Sequence, residues 1–88
     1  MRKELRNNMK KALQEVFPVE LKRYRVQHGM TQEAMARGLM VSTRSYIDQE
    51  HGGCMPCATT LALFLLLLSK EEQRRLLGLL RAGIEKAV

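Results

Sequence analysis

Apolar positions recur along this chain at helical spacing and almost nowhere at the alternation that marks strands. Between Arg2 and Phe17 the stripe is Leu5, Met9, Leu13 and Val16/Phe17, which predicts a first helix with Arg2, Arg6 and Lys10 on another face. Pro18 predicts an end or a kink, because proline removes one backbone hydrogen bond and its ring crowds the preceding turn. A second helix over Val19 to His28 turns Leu21, Tyr24 and Val26 inward and stops at Gly29.

The next segment is more sharply punctuated. Thr31 reads as the N-cap of a third helix, with Glu33 in its first turn and Met35, Ala36 and Leu39 facing inward. Met40-Val41 forms a turn, Ser42 caps a fourth helix from Thr43 to about His51, and Gly52-Gly53 ends it. Pro56 suits the first turn of a fifth helix that carries the apolar run Leu61 to Leu68. Ser69-Lys70-Glu71-Glu72 spells a capping box for a last helix with Leu76, Leu77, Leu80 and Ile84 along one side. Gly78 and Gly83 are each expected to weaken that helix by roughly 1 kcal/mol relative to alanine. No repeat, low-complexity segment or linker interrupts the pattern. The expectation is a single all-α domain over residues 1–88, a compact five- to six-helix bundle. Its parts are an N-terminal helix over 1–17, a core over 20–68 and a C-terminal helix over 69–88.

Composition supports this and adds a partner class. Hydrophobic residues make up 45% of the chain but aromatics only 5%, with no Trp, as suits a helical core built from Leu, Met and Val. The formal net charge is +6, which favours nucleic acid or an anionic surface. The charge is uneven: residues 1–30 carry eight Lys/Arg against three Glu, residues 31–60 two against three, and residues 61–88 five against three. The basic character thus lies at the two ends. The eight-residue run from Leu61 to Leu68 is far short of the roughly 20 residues a membrane span needs. No signal peptide is legible at the start, so a cytoplasmic protein is expected.

The segment Met30 to Gly52, MTQEAMARGLMVSTRSYIDQEHG, resembles the phage-repressor-like (Cro/C1-type, XRE) helix-turn-helix family. Thr31, Gln32, Glu33, Ala36, Leu39, Val41, Ser42, Glu50 and Gly52 match that family's pattern without gaps, and the likeness covers roughly residues 20–68. The resemblance implies a lambda-repressor-like core and a sequence-specific DNA-binding regulator that reads the major groove of double-stranded DNA with helix Thr43–His51. It implies a phosphate contact from Gln32 and DNA contacts from Ser42, Thr43, Arg44, Ser45, Ile47 and Asp48. Arg44 suits a guanine or a phosphate, Ile47 a thymine methyl, and Asp48 either a cytosine amine or open solvent. The resemblance also implies an ion pair between Arg25 and Glu50 that fixes the angle of the reading helix.

Three positions depart from the pattern. Met40 stands where the family favours glycine, and Gln49 where a core Ile or Leu is usual, so either the helix is rotated or Gln49 is hydrogen-bonded inside. Ile47 takes a commonly polar position.

The leucine-rich fifth helix carries Leu63 and Leu66 on its outer face, so something must cover it. A homodimer through Leu63, Leu66, Leu76 and Leu80 is expected, with cover by the chain's own extra helices as the alternative. A second function class, a protein-interaction module on a helix-turn-helix scaffold without DNA affinity, is favoured by the near-neutral motif segment. Cys54-Met-Pro-Cys57 lacks the preceding strand of a redox motif and the further ligands of a zinc site, so it reads as two ordinary thiols. No catalytic constellation, metal site or cofactor motif is legible, and an enzyme is not expected.

Overall fold

The computed structural model describes residues 3–86, which form five helices: α1 (Lys3–Gln27), α2 (Gln32–Gly38), α3 (Thr43–Glu50), α4 (Ala58–Leu67) and α5 (Lys70–Lys86). No strand occurs among the described residues, and the fold is a small all-α bundle. Met1, Arg2, Ala87 and Val88 lie outside the described residues, and with them the place of Arg2 on the basic face.

Of the end or kink expected at Pro18, the end does not occur: one helix runs from Lys3 through Pro18 to Gln27. A mid-helix proline costs about 3 kcal/mol, so something must offset it. Phe17 and Leu21, on either side of the proline, are both buried. Phe64 of α4 packs edge-on against Phe17 at 5.4 Å and against Tyr24 at 5.7 Å, so one ring clamps both halves of α1. Each buried Phe or Leu contributes about 1.5–3 kcal/mol, enough to hold the helix continuous. Val26, expected inward, is 61% exposed, because in an unbroken helix it lies off the Phe17–Leu21–Tyr24 side.

α5 runs back along α1, and α2 and α3 pack on each other with α3 also against α1. The core is Phe17, Leu21, Met35, Ala36, Leu39, Tyr46, Phe64, Leu68 and Leu76. Two ion pairs from Glu20, to Arg75 at 3.5 Å and to Arg23 at 3.8 Å, decorate the α1–α5 seam. Ser69 and Glu72 complete a reciprocal cap: Glu72 N–H donates to Ser69 Oγ at 3.2 Å and Ser69 N–H to Glu72 Oε1 at 2.8 Å. The α4 helix begins two residues later than Pro56 alone would indicate, at Ala58 with Cys57 as its N-cap.

α4 is not buried all round. Thr60 and Phe64 are buried, while Leu66 is 79% exposed. Within the run from Leu61 to Leu68, Phe64 and Leu68 are buried, Leu61, Leu63 and Leu65 are half-buried, and Ala62, Leu66 and Leu67 are exposed. Leu76, assigned by pattern to a subunit interface, sits in the core at 2% exposure because α5 turns that side toward α1. Leu63 and Leu80 are half-buried against the same core.

Candidate nucleic-acid interface

Residues 30–53 build a two-helix unit whose every boundary has a local cause. The Thr31 side chain accepts from Ala34 N–H at 3.0 Å and starts α2. The Ser42 side chain accepts from Ser45 N–H at 3.1 Å and starts α3. The four residues between, Leu39 to Ser42, make the turn. Leu39 anchors it in the core, and Met40 takes φ 58°, the one positive value at a non-glycine among the described residues. Met40 is 80% exposed, so its side chain recovers nothing for that strain. Gly52, at φ 80°, turns the chain out of α3.

The angle of α3 is set from below by a network centred on Glu50. Arg25, near the end of α1, donates through Nε to Glu50 Oε2 and through Nη2 to Oε1, both at 2.9 Å, a two-pronged pair. Its Nη1 donates to the Met30 carbonyl at 3.2 Å, which ties the loop before α2 into the same pair. Tyr46 OH donates to Glu50 Oε2, and Gln32 Nε2 donates to Oε1 at 3.3 Å. Four donors thus surround a carboxylate whose side chain is 2% exposed, against 17% for Arg25. Burial pushes the Glu50 carboxyl up, but the bonds from Arg25, Tyr46 and Gln32 outweigh it and hold the group below the usual carboxylate value. Burial and the bond to Glu50 push the Tyr46 hydroxyl far above its ordinary range. The bond to Glu50 likewise raises Arg25 against the opposing effect of burial. The group is an ion pair at every pH above the acid range, joining α1, α2 and α3.

With its rear fixed, α3 turns its first turn outward. Ser42, Thr43 and Arg44 are exposed, as is Asp48 one turn on, and Ser45 and Ile47 are half-buried beside them. Arg44 has no ion-pair partner among the described residues. A shallow depression between α2 and α3 is lined by Glu33, Arg37, Val41, Ser42 and Thr43. Gln32, assigned to a phosphate from sequence, is half-buried and has one amide hydrogen engaged by Glu50, leaving the other free. Gln49 is inside, bonded to Ser45, and the helix is not rotated, since Tyr46 and Glu50 are buried as well. Tyr46 is the network member that pattern reasoning missed. Its spacing of four residues from Glu50 was the available signal.

The basic residues of α1, Arg6 and Lys10, are exposed. Cys54 and Cys57 are both exposed free thiols. The Thr60 hydroxyl at 3.3 Å and backbone amides at the start of α4 hold Cys57 below its ordinary value. Among the described residues no group of His, Cys, Asp and Glu is placed to hold a metal ion, and no helix is long and apolar enough to cross a membrane. Compared with protein-family models, with curated proteins and with solved structures, the chain finds no match.

Proposed function

We propose that this protein is a sequence-specific DNA-binding transcription regulator of the phage-repressor-like helix-turn-helix type, reading the major groove with α3. The observation that carries the proposal is the contrast between the two sides of that helix. Its rear is locked to α1 and α2 through Glu50, while Thr43, Arg44 and Asp48 stand free at its front. A rigid helix whose first turn holds an arginine paired with no described residue suits insertion between phosphate ridges, where Arg44 donates to guanine O6 and N7. On this reading Ser42 and the spare amide hydrogen of Gln32 donate to phosphate oxygens, and Ile47 meets a thymine methyl. Arg6 and Lys10 add a sequence-independent attraction that falls with salt.

The exposed leucines favour an association surface as well. Leu66, Leu67 and Leu77 are 79%, 38% and 50% exposed on the neighbouring helices α4 and α5. We assign that surface to a second copy of the chain, since paired half-sites call for a symmetric dimer. Leu66 is the most exposed of the four leucines expected there, Leu76 is buried and drops out, and Leu63 and Leu80 are half-buried against the core. Fluorescence anisotropy with labelled duplexes at low and moderate salt, beside sedimentation equilibrium, tests both parts. Selective, salt-sensitive binding by a dimer supports the proposal. A dimer that binds no duplex makes the chain a protein-interaction module instead.

A further inference from the structure

The one buried side-chain polar atom without a hydrogen-bond partner among the described residues is Oε1 of Gln49. Gln49 is 4% exposed, on the core-facing side of α3 with Tyr46 and Glu50. An apolar side chain there would leave nothing unpaired, whereas an orphaned buried amide oxygen keeps the full penalty of its lost hydration. The fold recovers none of this. The single bond of the amide, from Nε2 to Ser45 Oγ at 3.3 Å, joins no second helix and runs one turn back along α3 to the edge of its outward face.

Ser45 stands at that edge, half-buried between exposed Arg44 and Asp48. A hydroxyl has one proton to give and two lone pairs to accept with. The Gln49 N–H occupies the oxygen, so the proton turns away from the amide and is what the Ser45 side chain offers outward. We propose that Gln49 is a positioning residue of the DNA-reading surface, holding the Ser45 hydroxyl as a hydrogen-bond donor toward the major groove. The base facing Ser45 then presents an acceptor, a purine N7, guanine O6 or thymine O4, in preference to an exocyclic amine. This rests on the DNA-reading assignment above and adds a residue and a polarity to it. It also accounts for a glutamine where a leucine would be more stable: the amide serves recognition at a cost in stability.

The test begins with duplexes selected from a randomised pool by the wild-type protein. Single-base variants of the selected site are then titrated against wild type, Ser45→Ala, Gln49→Leu and the double variant, each also followed by thermal unfolding. Gln49→Leu is expected to unfold at a higher temperature than wild type. It is also expected to lose discrimination on the order of tenfold at one base pair, the same one that Ser45→Ala relaxes. The double variant should lose no more there than Ser45→Ala alone, with every other position and the salt dependence unchanged. Gln49→Met, which keeps the length of the side chain, guards against a packing failure in the leucine variant and should behave alike. Intact discrimination in both Gln49 variants, with Ser45→Ala impaired, reduces Gln49 to a core filler and overturns the proposal. Equal loss on all duplexes with Ser45→Ala places the hydroxyl on a phosphate and also overturns it. A wild-type protein that selects no sequence at all overturns the DNA-reading assignment and this inference with it.

Discussion

Gly78 and Gly83 look interchangeable in sequence, two glycines inside one helix, but their surroundings give alanine opposite effects. A Cβ built on Gly78 meets nothing within 4 Å. Gly78→Ala then gains only the propensity difference, about 0.8–1 kcal/mol. For a chain of this size that raises Tm by roughly 4–8 °C. A Cβ on Gly83 lies 2.8 Å from the Ala12 Cβ and 3.6 Å from its Cα. Carbon atoms in contact sit about 3.5–4.0 Å apart, so the overlap is roughly 1 Å. The obstructing methyl is fixed directly to the α1 backbone, and Ala12 is buried at 3% exposure, so no side chain can swing aside. The two helices must part locally. Overpacking of this kind costs about 1–3 kcal/mol, against which the helix gains about 1 kcal/mol. The expected outcome for Gly83→Ala is a net loss near 1 kcal/mol, with Tm falling by roughly 4–8 °C. Thermal and urea unfolding followed by far-UV circular dichroism measures both variants. The double variant Ala12→Gly/Gly83→Ala, which moves the methyl across the seam, should recover about 1 kcal/mol of coupling in a double-mutant cycle. If Gly83→Ala stabilises the protein as much as Gly78→Ala does, α1 and α5 do not approach as described.

The Glu50 network carries a pH signature. The carboxyl is held below its ordinary value of 4.5 in the folded chain, so its contribution is present above that value and is lost as pH falls through the folded-state value. Glu50→Gln should cost about 2–3 kcal/mol near neutral pH, below the range for a fully buried pair because Arg25 is 17% exposed. In urea unfolding as a function of pH, the gap between wild type and variant should be constant above pH 4.5 and narrow below it. Comparison with the variant isolates Glu50 from Glu72, whose carboxyl is also held low, chiefly by the Ser69 amide. Met40→Gly should raise stability by about 0.5–1 kcal/mol, read by the same unfolding. Relief of left-handed strain at φ 58° exceeds the added freedom of the unfolded chain, and no packing is lost at an 80% exposed side chain.

The parts of the fold legible in the sequence were those with short-range causes. Thr31 and Ser42 cap helices through oxygens three residues from the amides they bind, and Ser69 and Glu72 do so reciprocally, so all three boundaries could be read locally. The Arg25–Glu50 pair spans 25 residues, and only the resemblance to a known motif placed the two together. Pro18 misled because a proline's local penalty is visible in sequence, whereas the Phe64 ring that offsets it comes from α4. Leu76 and Leu66 are identical in type, and Leu76 is buried because α5 packs along α1, with Gly83 against Ala12, a contact between segments far apart in sequence. Gln32 was assigned outward from its place at a helix start, and its bond to Glu50 follows only from how α2 and α3 meet.

On the proposed function, the front of α3 reads base sequence and does not merely add positive charge. The most direct measurement compares Arg44→Ala with Arg6→Ala in anisotropy titrations on a selected duplex and on random duplexes, at two salt concentrations. Arg44→Ala is expected to lose about 1–3 kcal/mol on the selected duplex and little on random ones. Arg6→Ala should weaken both to the same extent and flatten the salt dependence. Equal losses on selected and random DNA for the two variants would mean that Arg44 contributes only charge and that α3 reads no sequence.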